Sequence, residues 1–146
     1  MCVQTTHLGR LTTVIFHRRA LVFSTNEIET IASRIAEEHA GSLTETSDAF
    51  LVGIAKGDRE LWFEWRKDDL AEIWLTFAQN GKDIYQSWVE CIYVADKASF
   101  IEYVCSIPSL FLSKEIRVAK YGIIFRSDVL EYRHSGKWRS ILSRKK

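Results

Sequence analysis

Carboxylates are the first candidates for chemistry in this sequence, because Asp58, Glu60, Glu64, Asp68, Asp69 and Glu72 crowd into 15 residues. A metal-dependent nuclease or hydrolase gathers such groups around one divalent ion with a lysine close by, and Glu64-Trp65-Arg66-Lys67 loosely imitates that order. The spacing works against it, since residues three apart on a regular strand project to opposite faces. Charged turns and a solvated strand face account for the same residues. The four histidines, His7, His17, His39 and His134, never come within metal-ligand spacing of one another or of a cysteine. No metal, cofactor or catalytic residue is therefore expected. No GxSxG elbow, GxxxxGK loop or GxGxxG turn occurs, which leaves acyl transfer on the common hydrolase scaffold, nucleotide hydrolysis and dinucleotide binding without support. A small metal-dependent hydrolase or nuclease built on Asp58, Glu60, Glu64 and the histidines stands as the alternative reading.

The C-terminal stretch carries Arg133, Lys137, Arg139, Arg144, Lys145 and Lys146, with Tyr132 and Trp138 interleaved and no acidic residue after Glu131. Basic residues beside aromatics can bind single-stranded nucleic acid through phosphate contacts and base stacking. Edge strands carry the same residues simply to block unwanted pairing, and that reading is preferred.

Elements that would position these groups follow from periodicity. Leu11 to Phe16 and Ala20 to Ser24, separated by His17-Arg18-Arg19, read as a short hairpin or one bent strand. Ser24 stands three residues before Glu27 in capping-box spacing, and Ile28, Ile31, Ala32, Ile35 and Ala36 recur at helical intervals, which predicts a helix over residues 26–40. Ser42 to Asp48 reads as a polar connection. From Ala49 the period changes to two, and Ala49 to Ala55 with Arg59 to Arg66 form a hairpin across Lys56-Gly57-Asp58. A third strand holds Ile73, Leu75 and Phe77, and Asn80-Gly81 is a strong hairpin signal leading into a strand from Ile84 to about Val94. Residues 49–94 thus predict a four-stranded antiparallel meander. Asp96 caps a second helix with Phe100, Ile101, Val104, Cys105 and Ile107 on its apolar face and Pro108 as its stop. Strands over Glu115 to Lys120, Tyr121 to Arg126, Val129 to Arg133 and Trp138 to Leu142 complete a single α+β domain spanning residues 1–146. Its expected form is an antiparallel sheet of about six to eight strands with two helices packed on one face.

At 146 residues the chain can bury a sizeable core without a disulfide staple. Cys2, Cys91 and Cys105 are odd in number and match no disulfide framework, so a reducing cytoplasm is the expected compartment, with Cys91 and Cys105 buried as small hydrophobes. Neither a signal peptide nor a membrane span is expected, and no membrane partner.

Net charge is +1, yet it is unevenly placed. Residues 1–26 carry +3, residues 27–72 carry −7 and residues 73–146 carry +5. Glu27, Glu37 and Glu38 lie away from the isoleucine stripe of the first helix, and Glu45 and Asp48 extend the acidic run. Trp62 and Trp74 alternate with the more apolar set Leu61, Phe63, Trp65, Ile73, Leu75 and Phe77, which puts both rings on an open sheet face if the helices cover the other. Trp88 can join them. Tryptophan framed by charge is a common composition of protein interfaces, and acidic faces steer cationic partners. The C-terminal strands or a homodimer are the other ways to cover that face. The candidate partner-binding residues are Glu37, Glu38, Glu45, Asp48, Asp58, Glu60, Trp62, Glu64 and Trp74.

In general character the chain resembles the small cytoplasmic immunity proteins of bacterial toxin systems, including contact-dependent inhibition. The resemblance lies in the helix from Asn26 to Ala40 followed by the hairpin from Ala49 to Arg66, in tryptophan-rich strands and in clustered acids. It implies a non-enzymatic protein that binds a cognate toxin domain and neutralises it, and it carries over no functional residue.

Overall fold

A computed structural model describes residues 4–5, 11–12, 23–90 and 96–142 of the chain. The fold is α+β, with two helices and antiparallel sheets of five and three strands. Strands β1 (Gln4–Thr5) and β2 (Leu11–Thr12) pair antiparallel. The rest of the first predicted strand, most of the second, His7, His17, Cys2, Cys91 and Arg144 to Lys146 lie outside the described residues.

Helix α1 (Thr25–Glu38) begins where the capping box requires. Ser24 Oγ accepts from the Glu27 amide at 3.1 Å, and Glu27 Oε2 accepts from the Ser24 amide at 2.8 Å, so two otherwise orphaned donors are satisfied. Its far end closes with Gly41 N donating to Ala36 O at 2.7 Å and Ala40 N to Glu37 O at 3.4 Å. Ala40 supplies the left-handed residue this motif needs, with φ of 50°, although an L side chain is strained there. Ala40→Gly is expected to raise stability by about 1 kcal/mol in chemical denaturation, because glycine adopts that conformation without the Cβ clash.

The chain then turns into β3 (Ser42–Glu45), which pairs with β4 (Ala49–Lys56) from Ser42↔Gly53 to Glu45↔Phe50. The expected polar connection is thus an edge strand. Its Ser-Leu-Thr-Glu sequence has one apolar residue because only one side of an edge strand here meets the core. β5 (Arg59–Arg66), β6 (Glu72–Gln79) and β7 (Lys82–Glu90) complete the sheet in the order β3-β4-β5-β6-β7. The last four are the predicted meander. Asn80 and Gly81 both have positive φ, 53° and 74°, as the tight β6–β7 turn demands.

Helix α2 (Lys97–Ser113) is capped by Asp96, whose Oδ1 accepts from Ser99 N at 2.7 Å. It runs through Pro108 rather than stopping there. Proline removes one ladder bond and crowds the preceding turn, a cost of about 3 kcal/mol, but Phe111 and Leu112 beyond it are buried. Arg59 Nη1 donates to the Phe111 carbonyl at 2.7 Å and to the Lys114 carbonyl at 2.5 Å, satisfying orphan groups at the extended helix end. The two helices run side by side, tied by Lys97–Glu27 at 2.9 Å and Arg34–Glu102 at 3.3 Å.

The isoleucine stripe of α1 and the apolar side of α2 share one core with Phe50, Val52, Ile54, Leu61, Phe63, Trp65, Ile73, Leu75 and Phe77. Phe77 meets Phe111 edge-on at 5.0 Å between centroids, and Phe63 stacks on Trp65 at 5.6 Å. Cys105 is buried, which pushes its thiol pKa up, in keeping with a small hydrophobe.

β8 (Ile116–Tyr121), β9 (Ser127–His134) and β10 (Lys137–Ser140) make the second sheet, in the order β10-β9-β8. Residues 122–126 form a loop and not the predicted strand from Tyr121 to Arg126, because the chain reverses at Gly122, where φ is 98°. Leu130 joins the common core, with Ile116, Val118 and Tyr132 packed beside it. On the other side, Glu131 is only 5% exposed. It accepts from the Tyr121 hydroxyl and from Arg117 Nε at 2.7 Å. Those two bonds, Tyr121 first, hold its carboxyl below the usual 4.5 against the opposing effect of burial. A lowered folded-state pKa contributes stability that is present above the ordinary value and lost as pH falls through the lowered one. Glu131→Gln is therefore expected to flatten the acid limb of the stability curve below about pH 4.5, read from urea melts across that range.

Candidate partner-binding face

Register decides what the open side of the large sheet presents. Alternation puts Leu61, Phe63 and Trp65 under the helices, so Glu60, Trp62, Glu64 and Arg66 project away from them. The pairs Trp62↔Thr76, Glu64↔Trp74, Trp74↔Trp88 and Glu72↔Glu90 then place Trp74, Trp88, Glu72 and Glu90 on the same open face. Trp62, Trp74 and Trp88 are 45, 36 and 42% exposed, whereas Leu61, Phe63 and Trp65 on the opposite side of β5 are at 0%.

The rings are held rather than loose. Trp74 and Trp88 are directly opposed, with centroids 5.6 Å apart and planes tilted by 39°. Arg66 lies over Trp74 at 5.3 Å and is tethered by Glu64 at 3.1 Å, and Trp88 Nε1 donates to Glu90 Oε1 at 3.1 Å. Trp62 lies across Gly53 of β4, where a Cβ would come within 2.5 Å of the ring. No side chain larger than hydrogen fits at position 53 without moving the indole.

Electrostatics are unbalanced toward negative charge. Glu72 and Glu90 face each other across the β6–β7 pair, and like charges in that position repel. Burial pushes the Glu72 pKa up first, Asp69 and Glu90 add to the rise, and Arg66 opposes it. The face therefore stores a repulsion that an incoming cation would relieve.

Of the residues singled out from sequence, Glu60, Trp62, Glu64 and Trp74 are brought together on this face. Glu45 ends β3 in register with core-facing Phe50, so it lies on the helix side of the sheet and not on the open face, paired with Lys67 at 2.7 Å, and Asp48 is in the β3–β4 turn, where its carbonyl accepts from the Lys67 amide at 2.8 Å. Asp58 is in the opposite turn, taking a hydrogen bond from Gln79 Nε2 at 3.0 Å. Glu37 and Glu38 are exposed on α1, which packs against the other side of the sheet, and Glu38 is paired with Arg34 at 2.7 Å. They form a separate surface. Glu72, read from sequence only as one of the clustered carboxylates, and Glu90 were not among the partner-binding candidates, although the Asn80-Gly81 turn fixes the register that opposes them. Gly53 was not among them either, and a glycine inside an apolar strand is itself a sign of close approach.

His39 ends α1 and His134 ends β9, and among the described residues no three of His, Cys, Asp and Glu are gathered to hold a metal. Trp138 on the second sheet is covered by Arg117 at 4.3 Å and Arg133 at 6.0 Å. No described helix is long and apolar enough to cross a membrane. Comparison of the chain with protein-family models, curated proteins and solved structures gives no match.

Proposed function

We infer that the chain is a non-enzymatic binding module, an immunity-type protein of the bacterial cytoplasm that captures and neutralises a cognate toxin domain. The observation that carries this reading is the open face of the five-stranded sheet, where three exposed tryptophans are framed by Glu60, Glu64, Glu72 and Glu90. Rigid aromatics supply contact area at little entropic cost, and the carboxylates select a partner that offers lysine or arginine between them. The partner surface is therefore cationic with apolar patches, and the chain acts by covering it.

Calorimetric titration with the domain encoded directly upstream of this gene tests the reading. A saturable complex that weakens as salt is raised supports it. Absence of binding by that domain, or turnover of a substrate by the chain itself with an added divalent metal, overturns it.

Glu72→Gln separates function from stability. A raised folded-state pKa means that the contribution of Glu72 is full below its ordinary value and lost as pH rises through the raised one, so its ionised side chain is destabilising at neutral pH. The variant is expected to be more stable than the native chain at neutral pH, by roughly 0.2–1 kcal/mol, while binding the partner more weakly.

A further inference from the structure

We propose that the corner of the open face formed by Trp74 and Glu64 is a guanidinium site, which Arg66 of this chain fills before capture and an arginine side chain of the partner takes on binding. The source of the incoming arginine rests on the capture reading above, whereas what the corner accepts rests on its geometry. A guanidinium is already there: Arg66 Cζ lies 5.3 Å from the centre of the Trp74 ring, and Arg66 Nε donates to Glu64 Oε1 at 3.1 Å. Glu64 and Trp74 are directly opposed across β5 and β6, so the sheet fixes their spacing. An indole beside a carboxylate suits a planar cation, which stacks on the one and hydrogen-bonds to the other.

Arg66 is a poor occupant of this corner. It stands two residues from Glu64 on the same strand, and among the described residues the bond from Nε to Oε1 is the one hydrogen bond its side chain makes. The pair of parallel bonds that strengthens an arginine–carboxylate contact is missing. Both side chains are about half exposed, at 55 and 40%, so water competes for the single bond. An arginine arriving from outside the sheet is not tied to β5, and it can set its fork on both Glu64 oxygens while stacking on Trp74. A lysine ammonium has neither plane nor fork, so the corner discriminates between two side chains of equal charge. The neighbouring strands offer no second competitor: Arg59, the other cation of β5, is bonded to carbonyls at the end of α2, and β6 has none. Arg66 must leave before another arginine enters, so it weakens binding in proportion to the time it stays.

Tryptophan fluorescence of the free chain, titrated with tetra-arginine and with tetra-lysine peptides, tests the site. Arg66→Ala is expected to bind tetra-arginine at least about fivefold more tightly than the native chain does, and tetra-lysine less than about twofold more tightly. Adding Trp74→Ala to Arg66→Ala should erase the gain, with a urea melt confirming that the double variant is folded. An equal gain for both peptides overturns the proposal, because Arg66 would then act through its charge alone. No gain, weaker binding without Arg66, or a gain that survives the loss of Trp74 overturns it as well. Calorimetry with the domain encoded directly upstream is expected to show tighter binding by Arg66→Ala than by the native chain, and weaker binding there would make Arg66 a contact rather than a competitor. If that domain binds neither chain, the capture reading falls while the peptide titrations still decide the guanidinium site.

Discussion

Trp74→Ala is expected to weaken capture of the partner domain about 30-fold or more, equivalent to about 2 kcal/mol, with little change in the stability of the free chain. Trp74 is the centre of the open face: it is opposed by Trp88, overlaid by Arg66 and next to Glu64 in the β5–β6 register. Removing it deletes contact area and also frees Trp88 and Arg66 from the positions they hold. The effect on folding stays small because the ring is 36% exposed and the core lies on the other side of the sheet. Calorimetry gives the affinity, and a urea melt of the same sample gives the stability. A variant that binds as tightly as the native chain would remove Trp74 from the interface.

Phe63→Ala is expected to cost about 3–5 kcal/mol, a fifth or more of the roughly 5–15 kcal/mol that holds a domain of this size together. Phe63 has no exposed surface, stacks on Trp65 and pairs in register with Val52 and Leu75, so its loss leaves a cavity with no room to collapse. Its neighbour Trp62 has the larger side chain, yet Trp62→Ala is expected to cost less than about 1 kcal/mol, because the ring rests on Gly53 with its outer side in water. One position along the strand thus reverses the outcome. Urea denaturation of the two variants measures it, and similar losses for both would mean that the open face is covered.

Much of this arrangement is legible in the amino acids. Local chemistry specifies the capping box at Ser24 and Glu27 and the Asn80-Gly81 turn, and alternation from Leu61 to Phe77 separates a buried face from an open one before any coordinates exist. Elements decided by tertiary packing were not legible. β3 is short and polar, and only its pairing with β4 makes it a strand. Pro108 carries a local stop signal, which burial of Phe111 and Leu112 and the Arg59 bonds override. Tyr121 to Arg126 has strand-like composition, but the turn at Gly122 breaks it and throws three apolar residues outward. The candidate site divides in the same way. Glu60, Trp62, Glu64 and Trp74 share a face by simple alternation, whereas Glu37 and Glu38 belong to a helix whose side of the sheet cannot be read from charge alone. The opposition of Glu72 and Glu90 emerges only once the register is applied across β6 and β7.

Acrylamide quenching of tryptophan emission tests the central claim most directly, because the chain has five tryptophans and the three on the open face are the accessible set beside buried Trp65 and arginine-covered Trp138. On saturation with the partner domain, the account predicts that quenching falls nearly to the level of the buried indoles and that Trp74→Ala blunts the change. A fully formed complex whose tryptophans quench as readily as those of the free chain would contradict it.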